Sequence, residues 1–109
     1  MSNNISEKFG NVTVTCKANI YFSGRVVSHS ITFSDNRRKT IGLIYAGLYK
    51  FDTGAPERMD IIAGECRVRI SGQVEWTNYS AGEWFDVPGH SFFEIEVPAG
   101  ITEYICSFD

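Results

Sequence analysis

Hydrophobic and polar residues alternate with period two along most of this chain, the spacing of half-buried β-strands. Val12, Val14 and Cys16 share one face of a first segment. Between Arg25 and Phe33, one face carries Val27, His29, Ile31 and Phe33, and the other Ser28, Ser30 and Thr32. Cys66, Val68 and Ile70 face away from Glu65, Arg67 and Arg69, and near the end Tyr104, Cys106 and Phe108 alternate with Ile105 and Ser107. Turn signals recur at short intervals, among them Phe22-Ser23-Gly24, Ser34-Asp35-Asn36, Thr53-Gly54-Ala55-Pro56, Pro88-Gly89 and Pro98-Ala99-Gly100. Many short strands at this spacing predict a sandwich or barrel. Gly42, Gly47 and Gly64 fall within or beside the strand patterns, where glycine marks a bend or a close backbone approach, as a small barrel needs at its corners. The best helix candidate is the short polar stretch Ser2 to Phe9.

Composition narrows this picture without redirecting it. The 109 residues fit one domain, with residues 1–20 as an N-terminal extension and a candidate extra edge strand. A net charge of -3 and no basic stripe argue against nucleic-acid binding. Arg37-Arg38-Lys39 reads as a charged turn between strands. Three widely spaced cysteines, Cys16, Cys66 and Cys106, make neither a metal motif nor a disulfide framework, and all are expected as buried thiols. The N-terminus lacks the apolar run of a signal peptide and no stretch suits a membrane helix, so a cytoplasmic protein is expected.

Two frames carry more specific information. Glu57 is followed after six residues by Gly64, and Gly82 after five residues by Pro88. These spacings resemble the two signature motifs of the cupin family, small jelly-roll β-barrels that often hold one metal ion. In the metal-binding members an H-x-H pair precedes the acid and a third His follows the proline. Here the pair reads either Lys50/Asp52 or Phe51/Thr53, and the third position is Phe93. Only Glu57 remains, and the two histidines, His29 and His90, stand outside the motif positions, so no metal site is expected.

From about Tyr21 to Phe108 the chain resembles the small single-domain cupins that act as pyrimidine/purine nucleoside phosphorylases. The likeness rests on Tyr21-Phe22-Ser23-Gly24-Arg25-Val26, Lys39-Thr40-Ile41-Gly42, Gly47-Leu48-Tyr49-Lys50-Phe51, Glu57-Arg58-Met59, Glu75-Trp76, the run from Ala81 to Ser91, and Tyr104-Ile105-Cys106. The resemblance implies an all-β single-domain cupin and a homodimer. It implies phosphorolysis of purine and pyrimidine nucleosides (adenosine, guanosine, inosine, xanthosine, uridine, cytidine and thymidine) to ribose 1-phosphate and free base, with inorganic phosphate as co-substrate and no cofactor.

Such a reaction must hold a phosphate dianion, stabilise an oxocarbenium-like sugar and let the base leave. Arg25 and Lys39, with Ser91, are the candidate phosphate ligands, and solvated strand-end charges are the alternative for the two cations. If Phe51 and Thr53 replace the paired metal ligands, Tyr49, Phe51 and Phe93 point inward, and Met59 shares a face with Glu57. That predicts an aromatic-walled pocket with one carboxylate, suited to stacking any nucleobase. The alternative is that the aromatics merely fill the barrel. Glu57 is the candidate catalytic carboxylate, against a turn acid paired with Arg58. His90 is the candidate proton donor, against a structural turn residue, and His29 is read as a packed core or interface residue. Two other readings stay open: a metal-less cupin that binds a nucleoside or sugar without catalysis, and an interaction module with a filled barrel.

Overall fold

The computed structural model describes residues 8–108. The candidate helix from Ser2 to Phe9 therefore falls largely outside the described residues. Nine strands carry the fold: β1 (Thr13–Val14), β2 (Asn19–Tyr21), β3 (Val26–Thr32), β4 (Arg38–Asp52), β5 (Glu57–Ala63), β6 (Glu65–Ile70), β7 (Thr77–Ser80), β8 (Trp84–Val87) and β9 (Phe92–Phe108). Among the described residues the one helical piece is a 3-10 turn at Phe22–Gly24.

β4 and β9 are the axis of the molecule. They pair antiparallel from Lys39 opposite Ser107 to Asp52 opposite Phe92. A flat strand the length of β9, 17 residues, would span ~55 Å, whereas the largest extent of the protein is 40 Å. The pair must therefore bend. It does so where Pro98-Ala99-Gly100 bulges out of register between Val97 and Ile101, opposite Ala46. Proline cannot donate to a ladder, and Gly100 has φ +68°, so this sequence favours a bulge over regular pairing.

The bend divides the fold into two half-sheets that share β4 and β9. One half holds β1, β2 and β3 beside the first part of β4, with β5 and β8 beyond the last part of β9. The other holds β6 and β7 beside the first part of β9. The chain crosses between halves at Gly64, with φ +85°, where any Cβ would lie 2.5 Å from the Ile101 carbonyl oxygen. The ladder bends into a jelly-roll arrangement without closing on itself. Ile44 and Ile61 from one half and Val68, Ile95 and Val97 from the other meet in one core. Tyr79 on β7 and Phe85 on β8 pack ring against ring at 4.9 Å, joining the edges across the interior.

The alternation of Cys66, Val68 and Ile70 with Glu65, Arg67 and Arg69 appears as expected. Outside, Arg67 and Arg69 pair with Glu96 and Glu94 and stack on Trp76 at 4.6 and 4.7 Å. β1 and β2 both pair antiparallel with β3. One expectation is corrected: Cys16 is exposed, while Cys66 and Cys106 are buried. β1 ends at Val14, so Cys16 lies past the end of the ladder, where no layer covers it.

Candidate functional site

Between the half-sheets lies a cavity of ≈ 160 Å³. Phe51, Glu57, Met59 and Phe93, four of the residues picked out by the sequence, line it together. Glu57 opens β5 directly after Pro56, opposite Val87 on β8 and Phe108 on β9. Met59 follows two residues later and so points the same way. Phe51 and Phe93 are cross-strand partners and stack at 5.6 Å between centroids, 24° from parallel. They form one wall of the cavity.

The polar lining comes largely from residues the sequence reading did not single out. Ser28 of β3, Thr40 and the exposed Asp52 of β4, and Tyr104 and Cys106 of β9 all reach the cavity. The serine-bearing face of β3 thus turns inward, and Val27, His29 and Ile31 line an apolar groove of ≈ 490 Å³ on the outside. His29 sits there with Nδ1 3.3 Å from the Thr15 carbonyl oxygen.

The Cys106 thiol donates to Glu57 Oε1 at 3.5 Å. Burial pushes the Glu57 carboxyl above its ordinary value, and the bond from Cys106 partly offsets this. Burial and the Glu57 charge push the Cys106 thiol up, so it stays protonated. Burial likewise raises the Tyr104 phenol, and the neighbouring Ser28 hydroxyl partly offsets this. Room for the Tyr104 ring depends on Gly42, where a Cβ would lie 2.9 Å from Cε1. Arg58 does not neutralise Glu57, because its guanidinium is bound to Asp60 at 3.0 Å.

The mouth is aromatic. Tyr21 and Phe22 are 45% and 44% exposed and set their edges against Phe51 at 5.9 and 5.3 Å. Phe22 and Ser23 have φ of +52° and +58°, and Gly24 follows at +94°. Two consecutive non-glycine residues in this region cost on the order of 1–3 kcal/mol each. The strained turn sets Phe22 beside Phe51 next to Tyr21, which lines the cavity.

The remaining sequence candidates stand around the cavity rather than in its lining. Tyr49 is buried, and its hydroxyl donates to the carbonyls of Tyr45 and Ala46, fastening β4 opposite the β9 bulge. Lys39 donates to Ser107 Oγ on β9. Arg25 ends the strained turn, its N–H donating to the Phe22 carbonyl and its carbonyl accepting from Tyr45. His90 has φ +51°, and its N–H donates to the Gly54 carbonyl. Ser91 donates its N–H to Thr53 Oγ1 at 2.9 Å, and that hydroxyl donates to the Pro88 carbonyl at 2.7 Å. Gly89 packs on Gly54 and Pro56. The 88–91 turn thereby holds the turn that delivers Glu57.

Comparisons with known proteins agree with this architecture. The family profile described as pyrimidine/purine nucleoside phosphorylase matches residues 16–108. A relative of that name from Cupriavidus metallidurans is 54% identical over 101 residues, covering 93% of this chain and 97% of its own length. Another, from Aromatoleum aromaticum, is 50% identical over 104 residues, covering 95% and 97%. A crystal structure of an Acinetobacter sp. ADP1 protein of unknown function superposes with a TM-score of 0.92 at 42% identity, covering 95% of this chain and all of that one. A cupin superfamily protein from Desulfitobacterium hafniense superposes at 0.62 with 14% identity, covering 84% and 82%, which identifies the fold as a cupin.

Proposed function

The chain belongs to the pyrimidine/purine nucleoside phosphorylase family, and from that premise we propose that it cleaves purine and pyrimidine nucleosides with inorganic phosphate. A phosphate oxygen forms a bond to C1′ as the bond from C1′ to the base nitrogen breaks. The electron pair leaves with the base, and the proton the base takes up enters with the hydrogen phosphate. The products are ribose 1-phosphate and free base.

One observation carries the reading: a half-buried carboxylate, Glu57, faces an aromatic-walled cavity with no cation in its lining. As C1′ loses the base, positive charge grows on the sugar, and a preplaced carboxylate in a partly dry site stabilises it. Phosphate needs a cation from outside that lining. Arg25 is assigned this role, because the turn it ends also carries the mouth residues Tyr21 and Phe22. Lys39 is the second candidate. His90 and Ser91 serve the reaction by holding the Glu57 turn. The reaction as proposed requires no cofactor, the protein is proposed to work in the cytoplasm, and the assembly is proposed to be a homodimer.

The test is an incubation with mixed nucleosides, with and without phosphate, followed by chromatography for free bases. Bases are expected only with phosphate. Glu57→Gln and Arg25→Ala are each expected to lower turnover by about 10²-fold or more while leaving the circular dichroism of the fold unchanged. Full activity in both variants would sink the assignment. EDTA is expected to leave the rate unaltered, and a loss reversed by added metal would overturn the metal-free reading. The absence of a lining cation also favours a second reading, a nucleoside-binding protein without turnover, for which base release would not appear with phosphate.

A further inference from the structure

We infer that the cavity is a subsite for the furanose and the exposed aromatic mouth a subsite for the base, so that the sugar is selected and the base tolerated. The inference rests on the nucleoside-processing reading above and fixes which way round the substrate sits.

Size sets the first constraint. Pockets that enclose a drug-sized ligand run from ~300 to ~1,000 Å³. A cavity of ≈ 160 Å³ has room for one sugar ring, not for a sugar with a purine attached. One half of the substrate must stay at the opening.

Chemistry decides which half. The interior offers Glu57 as an acceptor and the Tyr104, Ser28 and Thr40 hydroxyls, with the exposed Asp52 as a second carboxylate at the edge of the lining. A carboxylate among hydroxyls suits ring hydroxyls, which both donate and accept. Inside the cavity a base would present a different edge for each purine and pyrimidine. Fixed carboxylates and hydroxyls would then discriminate strongly among bases, because buried polar groups that lose a partner are costly. The sugar is the part all nucleosides share. The mouth has the opposite character: Tyr21 and Phe22 offer half-exposed ring surface beside Phe51. Stacking on such surface accepts every base, since each has a π-face. With the furanose inside and the base outside, C1′ lies at the opening, where phosphate can approach without passing Glu57.

The experiment compares uridine, inosine and 2′,3′-dideoxyuridine in two ways: phosphorolysis, and binding without phosphate followed by calorimetry. Loss of the ring hydroxyls is expected to weaken binding and lower kcat/KM by ~10- to 100-fold, whereas exchanging uracil for hypoxanthine is expected to change either by less than ~10-fold. Glu57→Ala is expected to shrink the uridine-to-dideoxyuridine ratio towards one. Phe22→Ala is expected to weaken uridine and inosine alike and leave that ratio unaltered. Phosphorolysis of dideoxyuridine as efficient as that of uridine would overturn the inference while leaving the phosphorylase reading intact. Hydroxyl-dependent binding without any base release would uphold the sugar subsite while removing the catalytic reading. No binding of any nucleoside would overturn both.

Discussion

Glu57 sits where a surface acid would be more stable, and this can be measured apart from activity. Its folded-state pKa is raised above the ordinary 4.5 by burial. Between that value and the raised one, the folded protein holds a proton that the unfolded chain has released. Stability therefore falls as pH rises through the window, and the deficit persists above it. Glu57→Gln removes the charge, so it is expected to be at least as stable as the unaltered chain at pH 7. The difference should close below pH 4.5, as read by urea unfolding at the two pH values. A variant clearly less stable at pH 7 would show that the charge supports the fold instead of straining it. The sequence marked Glu57, Phe51, Met59 and Phe93 through frame spacing and period-two facing. It could not mark Cys106, Tyr104 or Ser28 as their companions, because which strands face each other depends on registers set across long stretches of chain, 49 residues between Glu57 and Cys106.

At the scale of elements, the β3–β4–β9 layer shapes the cavity through one close approach. A methyl group at Gly42 would lie 2.6 Å from the Val27 carbonyl oxygen and 2.8 Å from Ser28 Cβ, besides meeting the Tyr104 ring. The backbone cannot yield there without disturbing the β3–β4 ladder. Gly42→Ala is expected to cost about 3 kcal/mol, at the upper end of overpacking penalties, seen as a lower urea midpoint with an unchanged slope. A cost below ~1 kcal/mol would mean that the layers slide apart easily. Glycines in strand patterns pointed to corners from the sequence alone. Their separate purposes did not show: Gly42 makes room for a ring, Gly64 carries the chain between half-sheets, and Pro98-Ala99-Gly100 bends β9.

For the whole molecule, the outer face around Val27, His29 and Ile31 is a broad apolar groove, with Val14 51% exposed on its rim. Such a face supports the proposed homodimer. Light scattering is expected to give twice the 12.2 kDa mass of the chain, and a monomer at micromolar concentration would refute it. The sequence by itself determined the all-β class, the strand faces and the cupin frames. Those depend on local periodicity and on turn chemistry, both written in neighbouring residues. Only the tertiary structure decided that the serine face of β3 turns inward, that Arg58 is spent on Asp60, and that Glu57 meets Cys106 in a space sized for a single ring. Those outcomes depend on how two bent strands bring distant residues into one volume, and burial then sets the electrostatics of whatever meets there.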